Sequence, residues 1–348
     1  MGIVIQPQLP NTNMIVLARE ARGLSQKELA NKINMSPTNL SKIERGEIGL
    51  GKDVLKLIAE ETEFPIHFFS QAGTIIPENL AYRKRQSVSQ KIITPIQARI
   101  NILCRHVQFI TQALPVNVAD LPKMQVTNSQ PPSRIAQKLR QKWNITEPVI
   151  ENITRLVELH QIPVLSFDFG TERIDSRTML TEDRYPIIFI NKRLQGDKLR
   201  FSIAYELGQL IMHSFPGIGA DRDISHEANA FAAELLMPSK EIKKDFEHGI
   251  SIPVLAQLKK KWKVSMIALL YRADDLGFLS PNQKRYLLQQ FNTLHIRRRE
   301  PQELDIPIEQ PLLMKKWISE FRKRKKLGTV EMAALLYLFA DEFMELYN

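Results

Sequence analysis

Residues 23–47 read GLSQKELANKINMSPTNLSKIERGE. Ser25 stands just before a run of helix-forming residues, with a glutamate three positions later, which is the spacing of a helix-capping box. Ser36 then precedes Pro37, a capping residue followed by the residue type that suits the first helical turn. Gly46 ends this second helix. The stretch therefore predicts two short helices joined by a tight turn.

The sequence on either side extends this stretch into a compact helical unit. Residues 14–22 (MIVLAREAR) place apolar side chains at helical spacing, and residues 53–62 (DVLKLIAEET) are amphipathic. The segment FPIHFF at 64–69 forms the last turn of the pattern. We therefore predict a five-helix domain over residues 12–70.

This N-terminal unit resembles the phage-repressor-like helix-turn-helix of the XRE family (Cro/C1 type), and the match lies in the quoted stretch. In that family the second motif helix enters the major groove of DNA. The resemblance implies a double-stranded DNA operator as partner. It also implies a homodimer, because one such motif reads only a few base pairs and a two-fold dimer doubles the interface on a palindrome.

The resemblance gives roles to single residues. Gln26 stands where the family contacts a phosphate, and Asn39 and Lys42 carry donors suited to reading purine edges. Arg19 and Glu44 match a buried ion pair whose role is structural. The proline of the second helix cannot donate a hydrogen bond, so it either touches a thymine methyl group or contributes nothing. The full set of expected DNA-contacting residues is Gln26, Ser36, Pro37, Thr38, Asn39 and Lys42.

Composition agrees with a globular protein that has a polyanionic partner. The 348 residues carry a formal net charge of +10, which favours nucleic acid, although a solvated basic surface is the alternative. The single cysteine, Cys104, excludes an intrachain disulfide and a thiolate-rich metal site. No run approaches the ~18 apolar residues of a membrane span, and the N-terminus lacks a secretory signal. We expect a cytoplasmic protein of two or three domains without membrane contact.

A linker and a second domain follow the N-terminal unit. Residues 92–114 predict one long amphipathic helix and residues 115–133 hold four prolines, so residues 71–130 are interpreted as a linker with a connecting helix. From residue 131 to residue 280 the pattern predicts two helices, two apolar strands and two further helices. The corresponding stretches are 133–143, 147–160, 162–169, 185–191, 199–213 and 225–242.

This second domain resembles the ImmA/IrrE family of metallopeptidase-like domains, which has a zincin-type fold. The resemblance rests on IFINKRLQGDKLRFSIAYELGQLIMH at 188–213 and HEANAFAAELLMP at 226–238. At these places the family carries H-E-L-G-H and then E-x-x-A-N. Its two histidines and the later glutamate bind zinc, and the glutamate between the histidines takes a proton from the activated water.

The three ligand positions that the family implies have all changed in this chain. Tyr205 and Gln209 occupy the histidine positions, and Ser225 occupies the third. Glu206 alone keeps the residue type of the general base. We interpret the domain as catalytically inactive, without metal or cofactor. The alternative is an active regulatory metalloprotease that cleaves a repressor and holds a displaced zinc ion. The residues around such an ion would be His213, His226 and Glu227.

An inactive domain of this kind has other uses. A cleft lined by Tyr205, Glu206 and Gln209 would bind a peptide or small ligand and act as a sensor; otherwise the domain serves for dimerisation or as a scaffold. The sensor hypothesis predicts that Glu206→Ala changes ligand-dependent release of DNA without affecting folding. In related proteins such fusions often serve as antitoxin-like regulators, which makes a toxin a further expected partner.

Residues 281–348 predict a C-terminal helical segment. Basic amphipathic helices come first, and residues 329–347 then read as one apolar helix, either a lid on the preceding domain or a dimer face. The sequence as a whole predicts a mostly α protein with a small β-sheet (α+β). It combines a five-helix helix-turn-helix domain, a zincin-like domain over residues 131–280 and C-terminal helices. The expected function is sequence-specific regulation of transcription, as a repressor.

Overall fold

The computed structural model describes residues 10–76, 83–84, 88–117, 120–214 and 222–347. It is mostly helical with a small four-stranded sheet, which confirms the predicted α+β class. Part of the predicted linker (77–82 and 85–87) and part of the acidic stretch after helix 199–213 (residues 215–221) lie outside the described residues.

The N-terminal domain has the predicted helices. They are α1 (Thr12–Ala21), α2 (Gln26–Lys32), α3 (Pro37–Glu44), α4 (Lys52–Thr62) and a 3-10 turn (Ile66–Ser70). Leu29, Leu40, Phe68 and Phe69 are fully buried in its core. They come from α2, α3 and the 3-10 turn, so apolar burial holds the short helices together.

Helix α5 (Gln90–Ala113) confirms the long amphipathic helix expected at 92–114, and it does more than connect two domains. Ala98 and Ile102 pack into the core of the N-terminal domain. Val107 and Ile110, on another face, pack into a second core with the sheet and the C-terminal helices. One helix therefore supplies apolar side chains to both cores.

The second domain contains most of the remaining elements. They are α6 (Pro132–Lys142), α7 (Ile153–Leu159), β2 (Val164–Phe167), β3 (Ile174–Leu180), β4 (Pro186–Asn191), α8 (Gly196–His213), α9 (Ile224–Leu236), α10 (Ser239–Phe246), α11 (Ile252–Trp262), α12 (Met266–Asp275) and α13 (Pro281–Thr293). The helix predicted at 147–160 is shorter than expected. Asn152 caps it by accepting the backbone N–H of Arg155 at 2.7 Å, so the helix begins only after Asn152.

The sheet has the strand order β1-β3-β4-β2, where β1 is Arg83–Lys84. Strand β2 runs parallel to β4, whereas β3 is antiparallel to both β4 and β1. The expectation of only two strands was wrong, because β3 reads IDSRTML and its polar residues conceal a strand that is buried along its whole length. Helix α8 covers one face of the sheet, and α5 with the C-terminal helices covers the other.

The single helix predicted at 329–347 is also wrong. The chain forms α14 (Leu313–Lys325), α15 (Thr329–Leu335) and α16 (Ala340–Tyr347). Tyr337 has φ of 58°, a left-handed conformation that ends a helix. The reversal buries Phe343 and Tyr347 within the chain, and the Tyr347 hydroxyl lies 2.8 Å from Nδ1 of His106 on α5. No helix in the described part of the chain is long and apolar enough to cross a membrane.

The N-terminal domain also contacts the C-terminal helices directly. The Arg22 guanidinium, just after α1, lies 3.2 Å from a carboxylate oxygen of Glu342 on α16. Nε2 of His67 lies 3.2 Å from the carbonyl oxygen of Ala334 on α15. Burial of this imidazole lowers the pKa of His67. The N-terminal domain and the C-terminal helices are therefore in direct contact with each other.

Candidate DNA interface and candidate metal site

Helix α3 is the candidate recognition helix, and its start is fixed locally. The Ser36 hydroxyl accepts the backbone N–H of Asn39 at 3.2 Å, and Pro37 occupies the first helical turn. Helix α2 before it has the predicted capping box, with Ser25 and Glu28 bonded to each other's backbone. These caps set where each helix begins and hence the angle of the turn between them.

The exposed face of α3 carries the residues expected to contact DNA. Ser36, Pro37, Thr38, Asn39 and Lys42 are all exposed. The opposite face is core: Leu40 and Ile43 are at most 3% exposed. An exposed helix surface with amide, hydroxyl and ammonium groups has the chemistry that base-edge and phosphate contacts require.

A buried ion pair lies directly behind this surface. Arg19 binds Glu44 through two hydrogen bonds, Nε to Oε1 at 2.6 Å and Nη2 to Oε2 at 3.1 Å, and the two side chains are 9% and 4% exposed. Gln26 is half-buried, and its Nε2 donates to Oε2 of Glu44 at 2.7 Å. The residue expected to contact phosphate therefore has its side chain tied to the ion pair. Its position is set by the carboxylate at the end of α3.

The three positions that the resemblance assigns to zinc ligands come together in space. Tyr205 and Gln209 lie one turn apart on α8, and Ser225 lies in the first turn of α9. The Tyr205 hydroxyl lies 3.2 Å from the Ser225 hydroxyl, and Nε2 of Gln209 donates to the Tyr205 hydroxyl at 3.1 Å. Between them, Gly208 lets the helices approach, because a Cβ there would lie 2.8 Å from the ring of Phe231.

These side chains do not fit a zinc ion. Zinc in proteins is bound by thiolate, neutral imidazole or carboxylate, and here a phenol, an amide and a hydroxyl stand in their place. A phenol would have to lose its proton to bind zinc, and the oxygens of an amide and a hydroxyl are poor zinc ligands beside imidazole, thiolate or carboxylate. Instead, Gln209 and Ser225 are both within hydrogen-bonding distance of the Tyr205 hydroxyl. Oε1 of Gln209 has no hydrogen-bond partner among the described residues.

Glu206, which keeps the residue type of the general base, is bound by strand β3. Its two carboxylate oxygens accept hydrogen bonds from the hydroxyls of Ser176 and Thr178, each at 2.6 Å, and its side chain is 1% exposed. Sequence reasoning missed both hydroxyl residues because it missed the strand. The available signal was a period of two residues: the uncharged Ile174, Ser176 and Thr178 alternate with the charged Asp175 and Arg177.

The residues considered for a displaced zinc ion are placed differently. Nε2 of His213 lies 2.8 Å from Glu227, whose other carboxylate oxygen binds the Arg222 guanidinium at 2.6 Å. Burial lowers the pKa of His213, against the opposing effect of Glu227. His226 is exposed and lies apart, on the wall of a cleft. Within the described ranges, no cluster of three or more His, Cys, Asp or Glu side chains is placed to hold a metal ion.

This cleft is the large concave feature of the second domain, with a volume of about 1590 Å³. Its walls come from the loop before β3, the first half of α8, α9, α12 and the segment 295–299 after α13. Tyr205, Glu206 and Gln209 do not line it, and each is at most 2% exposed. The expectation that these three residues line the cleft was wrong, because their side chains are buried and hydrogen-bonded inside the domain.

Comparison with known proteins agrees with this architecture. Residues 15–69 match the family model of a helix-turn-helix, and residues 157–274 match that of the IrrE N-terminal-like domain. Both resemblances are thereby confirmed: the chain carries a helix-turn-helix domain followed by an IrrE-like domain. No curated protein matches the chain. The crystal structure of Bacillus thuringiensis PlcR in complex with the peptide PapR7 and DNA matches over 96% of this chain and 94% of that chain, at 14% identity and a TM-score of 0.17. A TM-score this low does not establish a shared overall fold.

Proposed function

We propose that this protein is a sequence-specific repressor of transcription whose IrrE-like domain binds a ligand and hydrolyses nothing. The observation that supports DNA binding most directly is the capped, fully exposed surface of α3, with Thr38, Asn39 and Lys42 on it. It belongs to a helix-turn-helix domain, a class of domain that binds DNA. The net charge of +10 supports association with a polyanion.

The absence of hydrolysis is inferred from the chemistry of the donors. A hydrolytic zinc site needs three charged or imidazole ligands and an open position for water. Tyr205, Gln209 and Ser225 offer neutral oxygens and an amide and are bonded to each other. Both carboxylate oxygens of Glu206 accept hydrogen bonds from hydroxyls of the sheet, and the residue is 1% exposed, which suits a structural role better than that of a general base.

Dimerisation completes the proposal. A single α3 would read a few base pairs, whereas two copies on a palindrome reach the affinity typical of repressors. A partner protein of the toxin class is the second proposed interaction, because a regulator of this type can be controlled by the protein whose gene it represses. Analytical ultracentrifugation with and without operator tests the dimer.

The first experiment is selection of bound duplexes from a random DNA pool, followed by footprinting of the region upstream of the gene itself. We expect a palindromic sequence to be enriched, and the variants Asn39→Ala and Lys42→Ala to lose it. Lys240→Ala, on the exposed side of α10, is the matched control and should bind normally. A pool without enrichment would contradict sequence-specific binding.

The second experiment is native mass spectrometry with added zinc. We expect no stoichiometric zinc on the natural protein, and one zinc ion on the triple variant Tyr205→His, Gln209→His, Ser225→Glu, which restores the ligand types of the family. The triple variant shows that the method would detect a site. One tightly bound zinc ion on the natural protein would overturn the non-hydrolytic proposal and support the alternative, a regulatory metalloprotease.

A further inference from the structure

The cleft of the IrrE-like domain carries positive charge that the protein itself does not neutralise. Its lining includes seven Lys or Arg and three Asp or Glu side chains. Several of these cations are already paired, such as Arg193, which lies 3.4 Å from Asp168. Arg173, Arg297 and Arg298 make no ion pair with any carboxylate in the described ranges. Arg297 donates one hydrogen bond, from Nη1 to Oδ1 of Asn292 at 3.4 Å. A guanidinium has five N–H donors, so each of the three side chains can still bind an anion that enters the cleft.

The three guanidiniums without an ion pair come from two separate parts of the chain. Arg173 lies in the loop before β3, whereas Arg297 and Arg298 follow α13. Guanidinium groups bind carboxylate and phosphate through two parallel hydrogen bonds. Concave walls of one sign also concentrate the field and raise the local concentration of an oppositely charged ligand. The cleft therefore selects for a ligand that carries several negative groups.

The rest of the lining favours a peptide over a small anion or a nucleic acid. The volume of about 1590 Å³ exceeds the ~300–1,000 Å³ typical of small-molecule sites. Asn229 supplies an amide, and Phe201 and Tyr271 supply apolar surface. Carboxylates such as Asp175 and Asp275 also line the cleft and would repel an unbroken chain of phosphates. A peptide with acidic residues separated by neutral ones avoids that repulsion.

Strand addition is not the way in which such a peptide would bind. An extended peptide often pairs with the free edge of a sheet. Here β3 pairs with β4 on one side and with β1 on the other, through Ile174 and Ser176. Ser176 is thus paired on both sides, with Arg83 and with Ile190, and Ile174 is paired with Lys84, so we expect affinity to come from side chains.

We propose that the cleft binds an acidic peptide, with Arg173, Arg297 and Arg298 holding its carboxylates. The inference rests on the proposed function, since it names the ligand class of the proposed sensor domain. The proposed ligand site lies at the charged walls of the cleft and not at Tyr205 and Glu206.

The test is fluorescence anisotropy of the full chain with a fluorescein-labelled peptide of alternating glutamate and leucine. We expect this peptide to bind and the same peptide with glutamine in place of glutamate to bind at least about tenfold more weakly. The triple variant Arg173→Gln, Arg297→Gln, Arg298→Gln should lose at least about tenfold in affinity for the acidic peptide. All three residues are exposed, so the fold should persist, and circular dichroism checks this.

The matched control removes the same charge elsewhere: Lys323→Gln, Arg324→Gln, Lys325→Gln, three exposed residues on α14. It should bind the acidic peptide within about twofold of the natural protein. Equal losses in the two variants would overturn the inference in favour of general charge attraction. Tighter binding of a short single-stranded DNA would overturn it in favour of a nucleic-acid site.

Operator binding by the same preparations separates the two proposals. Normal operator binding with no peptide binding would overturn the cleft inference alone. Peptide binding without any operator would contradict the proposed repressor function and leave the peptide site standing.

Discussion

The helix-turn-helix domain and the IrrE-like domain treat their motif residues in opposite ways. On α3, Thr38, Asn39 and Lys42 are exposed and face solvent. On α8, Tyr205 and Gln209 are at most 2% exposed and bond to each other. A side chain can serve a partner only if its own protein leaves it available. The comparison teaches that recognising a motif locates a site, whereas the contacts of its residues decide whether the site is open.

The largest expected effect is at the ion pair behind α3. Arg19→Met leaves Glu44 buried with only the Gln26 amide as a partner, which should lower the free energy of unfolding by about 3–5 kcal/mol. Urea unfolding followed by circular dichroism measures it. The control is Arg45→Met, whose ion pair with Glu47 is exposed and whose loss should leave stability nearly unchanged. Equal effects of the two variants would mean that the buried pair does not support the DNA-binding surface.

The corresponding change in the IrrE-like domain is Glu206→Gln. The amide nitrogen cannot accept a hydrogen bond, so one of the hydroxyls of Ser176 and Thr178 loses its acceptor in a buried place. We expect a loss of about 1–3 kcal/mol in the free energy of unfolding. Glu206→Ala should be at least as damaging, contrary to the sequence-based expectation that it leaves folding intact. Unchanged stability in both variants would show that the carboxylate is not structural.

Measurements of DNA affinity test whether the exposed residues of the helix-turn-helix domain contact DNA. Lys42→Ala should weaken operator binding by about 1–3 kcal/mol and affect random DNA much less, because a base contact is lost. Gln26→Ala should weaken binding to all duplexes and also lower stability, since it removes a hydrogen bond to Glu44. Gel-shift titrations on operator and random duplex, at fixed salt, separate the two. Parallel losses on both duplexes for Lys42→Ala would remove it from sequence reading.

The smallest effect is expected at Gln209. Replacement by methionine, of similar shape, removes one hydrogen bond to Tyr205 but also a buried oxygen that has no partner among the described residues. The two terms oppose each other, so the free energy of unfolding should change by less than about 1 kcal/mol. A loss several times larger would indicate that the Gln209 amide carries more of the packing between α8 and α9 than its single hydrogen bond suggests.

The fold was predictable where the signals are local. The caps at Ser25 and Ser36 and the stop at Gly46 lie within a few residues of what they control, and the helices begin and end there. Strand β3 was missed because its burial comes from α8 and from α5, which are distant in sequence. The break at Tyr337 was missed for a similar reason, since the folded-back helix is stabilised by contacts with α5.

For the candidate site, too, local sequence signals were informative and contacts between distant residues were not predictable. The family resemblance predicted that Tyr205, Gln209 and Ser225 lie together, and the structure brings them within hydrogen-bonding distance. The resemblance gave no sign that Glu206 would be held by Ser176 and Thr178, because those hydroxyls lie on the missed strand. The group of arginines in the cleft was equally hard to predict, since Arg173 and Arg297 are far apart in sequence and only folding brings them to one cavity.

The mutual bonding of Tyr205, Gln209 and Ser225 has a consequence for how this sequence can evolve. A substitution to histidine or glutamate at one of these positions would alter a hydrogen bond inside the domain and would supply only one zinc ligand. Two such substitutions would still fall short of the three ligands that a hydrolytic zinc site needs. Gain of zinc hydrolysis by this domain would therefore require three coordinated changes, a step that selection on single mutations does not favour.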